Sequence, residues 1–598
     1  MGKISQFLAL GGTVLILYIG ITKLLDQRAY ERKKRLHNCG EAVKYPHRES
    51  LFGLDLLIKD TKEHTACTYL KEIQRQYAVY GKTHEVRFLG ERMIRTMDPK
   101  NIQAVLGLNA KDYGLQPLRE GLAMPLFNHG INTTDGEYWQ YSRSLIKPTF
   151  SRMEICNLAS LEFHFRRLME LLPKDGTTVD LQPLFSRLFL DTSTEFLFGK
   201  SADTLLPLPA EEGELFIKSF DYVMEGLGNR VRLGPLKFLY RDPLWFESIR
   251  IVHAFVEKHI DVAIEVEKHR KINGSTEREA NNRYILLNEM AKQTQDKLDL
   301  RSQILAVFMP SRDTTAFLVA NIFHALARNP AIWKRLRTEF MAVGNQTLTF
   351  ELLKSIKYLQ WVINESHRMY SISDNNPRCV LSDSILPTGG GTDGKSPLLV
   401  CKGQYISFNI YCLHQDRDIW GSDVDIFRPE RWEGLKLFWN FIPFGGGPRT
   451  CPAQQLVNTE AAYVTVRMMQ EFAAVDHRDE HEWTEQWRIG PHSKYGCKDG
   501  TLSTRIGNPI LYYLGEAEFE SRLSPRIIST NKPMQLFHLF LSSIVEPTVS
   551  GQPTTGLSGI ITCTAKRTFV TRRKKGKSIG YTGKINDSMI KSRVVCHL

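Results

Sequence analysis

Cysteine is scarce in this chain: ten cysteines are spread over 598 residues, and no two of them form a CxxC pair. Zinc ribbons need paired cysteines, and small secreted domains held by disulfides need a much higher density of them. Both classes are therefore disfavoured. With 42% hydrophobic residues over this length, the chain can bury a large core without such cross-links.

A strong charge imbalance is also missing from the body of the chain. Lys and Arg outnumber Asp and Glu by 78 to 65, but residues 515–598 alone hold 13 of the basic residues and 5 of the acidic ones. Because the excess is concentrated in this tail, the rest is only mildly basic, and we expect no nucleic-acid partner. The ordinary apolar and charged fractions, 42% and 24%, exclude disordered and collagenous classes.

A long uncharged run lies at the N-terminus, between Lys3 and Lys23, and a basic cluster follows it over residues 28–35. The run is about long enough to cross a bilayer, and the basic cluster favours the cytoplasmic side. We predict a single-pass membrane anchor over residues 1–25, a basic linker over residues 26–50 and a cytosolic body. A buried core helix is a weaker alternative. A cleaved signal peptide is disfavoured because no small-x-small site precedes the basic cluster.

The body, residues 51–513, alternates helical periodicity with short strand-like runs and contains no repeat, which predicts one mainly α domain with small β-sheets. A buried helix is predicted over residues 300–328, ended by Asn329-Pro330. A second helix is predicted over residues 351–370, and a third after Cys451.

Residues 514–598 have weak periodicity and are rich in Ser, Thr, Gly and basic residues. Their longest apolar run, MQLFHLFLSSIV, is too short to span a bilayer. We expect a basic extension that is disordered or arises from read-through of non-coding sequence. The alternatives are a basic tail for anionic lipid or nucleic acid and a second membrane contact.

Residues 389–396, GGGTDGKS, satisfy the phosphate-loop pattern G-x-x-x-x-G-K-[ST] around Lys395. That loop binds phosphate because a helix N-terminus follows it directly. Here Pro397 follows, and the next residues are typical of strand, turn and strand. The sequence therefore favours a glycine-rich turn over a nucleotide site.

The most informative stretch is FIPFGGGPRTCPA, residues 441–453. Glycines at 445–447 allow the backbone to approach a flat ligand closely, and the predicted helix beyond Cys451 directs its N-terminus at the sulfur. Such a loop suits an anionic axial ligand. Arg449 is placed to bind a carboxylate such as a haem propionate.

This stretch resembles the haem-thiolate monooxygenases of the cytochrome P-450 superfamily. Their signature F-x-x-G-x-R-x-C-x-G is met at Phe444, Gly447, Arg449 and Cys451, whereas Ala453 replaces the last glycine. The resemblance implies the cytochrome P-450 fold and haem b, with Cys451 as the thiolate ligand of the iron and Phe444 and Arg449 in the cofactor site.

Further motifs extend the resemblance over residues 40–505. Two groups of residues match them: Glu365 and Arg368 (ExxR) with Arg431 (in FRPERW), and Trp139 and Arg143 (WxxxR) with Arg378. The first group is implied to form a buried structural cluster, and the second to bind the haem propionates. Taken alone, ExxR would be an ordinary helical salt bridge.

The stretches LPTGGGTDGKSPLLV, LDTSTEFLFG and GINTTDGEYWQYSRSLIKPTFS resemble the fungal branch that hydroxylates n-alkanes and fatty acids. This resemblance implies insertion of one oxygen atom from O2 at or near the end of an apolar alkyl chain. It also implies electrons from NADPH through a partner flavoprotein reductase, and a place in the endoplasmic reticulum membrane, against the lipid bilayer.

On the predicted helix, Asp313 and Thr314 match the acid and threonine that relay protons in the family. Upstream, Pro310 and Ser311 replace two small residues. Proline inside a helix costs about 3 kcal/mol or more, and we expect a narrowed pocket or a displaced Thr314. Two alternatives therefore stay open: a reductase-independent isomerase or dehydratase of oxygenated lipids, and a catalytically impaired haem binder.

Overall fold

The computed structural model describes residues 21, 25, 27–151, 158–207, 211–273, 284–342, 344, 346–487 and 491–503. Almost all of the predicted anchor over residues 1–25 and the whole extension over residues 514–598 lie outside these residues. Within the described part of the chain, we find no helix that has both the length and the apolar composition to cross a bilayer. The predicted anchor therefore stays a prediction.

The described chain is mainly helical with small sheets, which confirms the expected fold class. The α-helices are α1 Leu54–Ala66, α2 Tyr69–Tyr80, α3 Pro99–Gln103, α4 Gln116–Phe127, α5 Gly136–Ile146, α6 Ala159–Leu171, α7 Leu181–Phe198, α8 Glu211–Leu233, α9 Pro243–Asn273, α10 Leu286–Gln293, α11 Lys297–Arg328, α12 Pro330–Met341, α13 Phe350–Ser355, α14 Lys357–Met369, α15 Ile410–His414, α16 Arg417–Trp420 and α17 Gln454–Glu471. A π-helical turn, Ala104–Leu108, follows α3, and 3-10 turns span Pro429–Trp432 and Gly447–Arg449.

The strands are β1 Val43–Lys44, β2 Thr83–Phe88, β3 Glu91–Thr96, β4 Tyr113–Gly114, β5 Asp175–Asp180, β6 Arg378–Val380, β7 Ser384–Gly390, β8 Ser396–Val400, β9 Tyr405–Phe408, β10 Phe472–His477, β11 Glu485–Trp487, β12 Pro491–Ser493 and β13 Lys498–Ser503. They form a six-stranded sheet in the order β1-β2-β3-β9-β6-β4, a three-stranded sheet β10-β13-β5, and the pairs β11-β12 and β7-β8. In the large sheet, β6 pairs antiparallel with β9, with Arg378 opposite Ile406.

Helix α11 forms the centre of the fold. Its first half, including Leu300 and Phe308, packs in an apolar cluster with α4, α5, α7, α8, α9 and α10. Its second half, including Phe323, packs in another cluster with α6, α7, α14 and α17. The Asp296 carboxylate caps the helix by accepting from the Asp299 N–H at 2.9 Å. The helix ends at Arg328, directly before Asn329-Pro330, as predicted.

The prediction of a single helix over residues 351–370 is wrong, because the chain forms two helices there. Ile356 separates α13 from α14 with an extended backbone, φ −74° and ψ 91°. Its side chain is buried in the core. Apolar periodicity continues through the break, so the sequence pattern did not reveal it.

The phosphate-loop match lies in the β7–β8 hairpin. Gly390 pairs with Ser396, and the Lys395 N–H donates to the Asp393 carboxylate at 3.1 Å within the turn. Strand β8 begins at Ser396 where a phosphate loop would need a helix N-terminus. The hairpin confirms the interpretation of this segment as a glycine-rich turn.

Candidate functional site

The cysteine loop ends three residues before α17. The Cys451 N–H donates to the Phe444 carbonyl at 3.0 Å, which closes the loop, and the ring of Phe444 packs 4.9 Å from that of His367. Burial raises the pKa of the Cys451 thiol, while the Ala453 N–H and the Arg143 charge lower it. Burial is the largest of these contributions, so the pKa lies above its ordinary value despite the helix N-terminus.

Gly446 and Gly447 allow the cysteine loop to pack closely against Trp439 and Leu106. A Cβ on Gly447 would lie 1.8 Å from the Leu106 carbonyl oxygen, and one on Gly446 would lie 2.3 Å from the ring of Trp439. Gly447 also has φ +68°, a conformation that favours glycine. The close approach predicted for these glycines is thus, at these two positions, an approach to the π-helical turn and Trp439.

Four arginines converge beside this loop, which we call the arginine cluster: Arg119, Arg143, Arg378 and Arg449. Arg449 donates to the Asp135 carboxylate at 2.5 Å and lies 4.4 Å above the ring of Trp139. Arg143 donates to the Thr450 carbonyl at 3.1 Å. The structure therefore brings the WxxxR residues of α5 to the cysteine loop.

Arg378 and Arg119 approach Arg449 from the sheet and from α4. Burial, followed by the charges of Arg119 and Arg449, lowers the pKa of Arg378 to about 9. Burial, followed by Arg449, lowers the pKa of Arg119 to about 10. Arg119 was not predicted from the sequence, because it belongs to no motif.

Haem fits this constellation of side chains. Arg378 is buried beside the carboxylate of Asp135, and Arg119, Arg143 and Arg449 are partly buried. Burial, followed by the charges of the neighbouring guanidinium groups, lowers the pKa values of Arg378 and Arg119. A ligand bearing two carboxylates compensates such a cluster with charge-assisted hydrogen bonds. Cys451, at the end of the same loop, offers the sulfur ligand that haem iron accepts.

Glu365, Arg368 and Arg431 lie in one buried cluster behind the cysteine loop. Arg368 makes two bonds of 2.9 Å to the Glu365 carboxylate, and Arg431 makes one of 3.0 Å. Trp432 Nε1 also donates to Glu365, at 3.0 Å. All four side chains are nearly inaccessible, so the cluster joins α14 to the Pro429–Trp432 turn and has no access to a substrate.

Ser371, two residues after the end of α14, has a defined structural contact. The Ile442 N–H donates to Nε2 of His414 at 3.0 Å, which leaves the proton on Nδ1. That Nδ1 lies 2.9 Å from Ser371 Oγ, which donates to the His367 carbonyl at 3.2 Å. The hydroxyl thus connects α14 to the chain that leads into the cysteine loop.

Helix α11 has a part-exposed window in its middle. Within α11, all of which the structure describes, residues 302–327 are buried except at Met309, Pro310, Ser311 and Thr314. Pro310 and Thr314, four residues apart, lie on one face of the helix. The window is the part of α11 that its packing neighbours leave partly uncovered.

Helix α11 continues without a break through Pro310. Thr314 Oγ1 donates to the Pro310 carbonyl at 2.8 Å, and Ser311 Oγ donates to the Phe308 carbonyl at 3.1 Å. The Thr314 oxygen keeps its lone pairs for a second partner. The threonine therefore stays in the window despite the upstream proline.

Asp313 lies in a different environment from Thr314. It is 1% exposed, with Oδ1 3.2 Å from Nε of Arg312. Nη1 of the same guanidinium lies 2.6 Å from the Asp221 carboxylate on α8. The acid is thus held in a buried charge cluster, and the hydroxyl is held in the window.

Comparison with known proteins adds independent findings. A model of the family Cytochrome P450 matches residues 45–494. Cytochrome P450 monooxygenase apdE of Emericella nidulans is 38% identical over 483 residues, which cover 80% of this chain and 92% of that protein. Cytochrome P450 monooxygenase iccC of Talaromyces variabilis is 36% identical over 496 residues, covering 81% and 97%. For fsdH, a cytochrome P450 monooxygenase of Fusarium heterosporum, the identity is 34% over 507 residues, covering 83% and 89%.

The names of these relatives specify neither n-alkanes nor fatty acids. The expected resemblance to the fungal branch that hydroxylates such chains is therefore not supported. The sequence stretches on which that expectation rested include the β7–β8 hairpin and the loop before α5, which shape the fold and do not name a substrate.

Proposed function

The chain belongs to the cytochrome P450 family and is a P450 monooxygenase, an oxidoreductase; from this premise we propose that Cys451 holds the iron of haem b and that the window of α11 receives an apolar substrate. The observation that carries the proposal is the arginine cluster beside Cys451. Burial and the neighbouring guanidinium groups disfavour the charged forms of Arg378 and Arg119. A ligand that brings carboxylates to the cysteine loop would stabilise these charges.

The residues of the cofactor site have separate tasks. When bound, haem b would supply the iron for the reduction of dioxygen and the cleavage of its O–O bond, and the Cys451 thiolate would hold that iron. Arg143, Arg378 and Arg449 bind the propionates, and Trp139 packs against Arg449. Phe444 covers the sulfur side of the loop and excludes water from the thiolate.

Protons reach the oxygen side through α11. The Thr314 hydroxyl donates its hydrogen to the Pro310 carbonyl. Its oxygen accepts a hydrogen bond from a water molecule and holds that water in the window. Asp313 exchanges protons with that water after its carboxyl group leaves Arg312. Ser311, bonded within the helix, narrows the window without blocking it.

The substrate is proposed to be apolar because apolar side chains surround the first half of α11. Leu126 and Phe127 of α4 and Phe220 of α8 belong to the cluster that packs on this part of the helix. Electrons are proposed to come from NADPH through a separate flavoprotein reductase, since the family generally uses such a partner.

Reduced protein in the presence of carbon monoxide tests the proposal. We expect a thiolate-type Soret band in the wild type and its loss in Cys451→Ala, since alanine has no ligand atom. Cys401→Ala, a partly exposed cysteine in the β8–β9 turn, is the matched control and retains the band. A wild-type band that survives in Cys451→Ala would exclude this cysteine as the ligand.

We further propose that residues 1–25 anchor the chain in the endoplasmic reticulum membrane with the catalytic domain in the cytosol. The uncharged run and the basic residues after it support this orientation. Full-length protein should stay with membranes after carbonate extraction, whereas a variant lacking residues 1–25 should be released in larger part. Equal extraction of both would contradict the anchor.

A further inference from the structure

Pro310 removes one hydrogen bond from the middle of α11. In an α-helix the N–H of each residue bonds to the carbonyl four residues earlier, so the carbonyl of Ala306 loses its helical donor. Ala306 is 2% exposed, and a buried carbonyl without a donor is unfavourable. The departure from the family motif thus creates a need for another donor at this site.

Asn132 supplies that donor from outside the helix. Its side-chain Nδ2 donates to the Ala306 carbonyl at 2.9 Å. The residue lies between α4 and α5, in a segment where a Cβ on Gly130 would be 3.1 Å from the Ser302 carbonyl oxygen. The segment therefore lies flush against α11, and the amide replaces the missing N–H of Pro310.

The same residue is tied to the arginine cluster. Nη1 of Arg119 donates to the main-chain oxygen of Asn132 at 2.9 Å. At the other end, Thr314 Oγ1 donates to the carbonyl of Pro310. A continuous set of contacts thus runs from Arg119, through Asn132 and one turn of α11, to the hydroxyl in the window.

We propose that Asn132 is a positioning residue of the oxygen site, whose amide replaces the helical donor lost at Pro310 and fixes the turn that carries Thr314 relative to Arg119. The inference rests on the proposed role of Thr314 and on haem binding at the arginine cluster. Without the amide, the Ala306 carbonyl turns towards the window and takes a water molecule there. The turn then loses its fixed position.

A double-mutant cycle with Asn132→Leu and Pro310→Ala tests the proposal. Leucine has nearly the same size as asparagine and no donor, and alanine at 310 restores the helical N–H. The readout is the infrared stretching band of carbon monoxide bound to the reduced haem, which responds to polar groups and water in the window. Thermal unfolding is recorded in parallel.

We expect Asn132→Leu to shift or broaden the carbon monoxide band when residue 310 is proline. The same substitution should leave the band unchanged when residue 310 is alanine. Thr133→Val is the matched control, because it removes the bond to the Asn128 carbonyl in the same segment and leaves Asn132 in place. This control lowers the melting temperature without moving the band.

Equal band shifts from Asn132→Leu in both backgrounds, or none in either, would overturn the inference. If Asn132→Leu alone fails to bind haem, recovery of haem binding in the double variant supports the proposal, and failure to recover it counts against it. A wild type that forms no carbon monoxide complex would instead refute the proposed haem site. The two failures are therefore distinguishable.

Discussion

Arg312 of α11, which is buried, forms an ion pair with the part-exposed Asp221 of α8. Nη1 lies 2.6 Å from Oδ1 of Asp221, while Nε lies 3.2 Å from Asp313, so one guanidinium serves both carboxylates. Its charge also lies 5.9 Å from the ring of Phe220. The position of α8 is thus linked to Asp313, the acid of the proposed proton path.

Asp221→Asn should increase the local opening of helix α8. The substitution leaves a buried arginine with one fewer anionic partner, which we expect to cost about 1–3 kcal/mol. Hydrogen exchange of the α8 amides should accelerate, as measured by mass spectrometry. Glu212→Gln on the same helix breaks an exposed pair with Lys258 and should leave exchange in the middle of α8 unchanged.

Arg119 should retain haem although it belongs to no sequence motif. Replacing Arg119 by Met removes a charge-assisted bond, and we expect haem to leave roughly tenfold faster, equivalent to about 1.4 kcal/mol. Transfer of haem to excess apomyoglobin measures the rate. Arg166→Met, at an exposed residue of α6, is the matched control, and an equal rate in both variants would argue against a contribution of Arg119 to haem retention.

Glu365 should contribute strongly to the free energy of unfolding and should have no role in electron transfer. Glu365→Gln leaves Arg368 and Arg431 buried without their shared anion, which we expect to cost about 3–5 kcal/mol. Glu430→Gln, which breaks a half-exposed pair with Arg335, should cost less than about 1 kcal/mol. Urea unfolding gives both values, and similar midpoints for the two variants would contradict the buried cluster's structural role.

Asp374 should make stability depend on pH. Burial raises the pKa of this carboxyl to about 7, against 3.8 in an exposed aspartate, so the folded state binds the extra proton between these values. The wild type therefore loses stability as pH rises from about 4 to about 7, and Asp374→Asn, which has no proton to lose, does not.

We expect Asp374→Asn to match the wild type near pH 4 and to be about 4 kcal/mol more stable at pH 8, because the pKa differs by about three units between the folded and unfolded states. Urea unfolding at a series of pH values measures the difference. Asp425→Asn, at an exposed ion pair, provides the comparison and should show no such growth with pH. A constant difference between Asp374→Asn and the wild type would show that the carboxyl is ionised in the folded protein.

Local sequence determined much of this protein. The glycines, Arg449 and Cys451 stand within one loop, and Glu365 and Arg368 stand one helical turn apart, so spacing alone places each group. Asn329-Pro330 likewise ends α11 by local chemistry. The mainly helical fold class follows from periodicity for the same reason: each signal is contained within a few residues of chain.

The tertiary structure decided what joins distant segments. Asn132 and Ala306 are 174 residues apart, and Arg119 reaches the arginine cluster from α4, so no spacing in the sequence pairs them. The break at Ile356 is also tertiary, because burial of its side chain outweighs the helical pattern. Pro310 shows the physical reason: the sequence reveals the lost N–H, but only the packing of another segment on α11 provides the donor that replaces it.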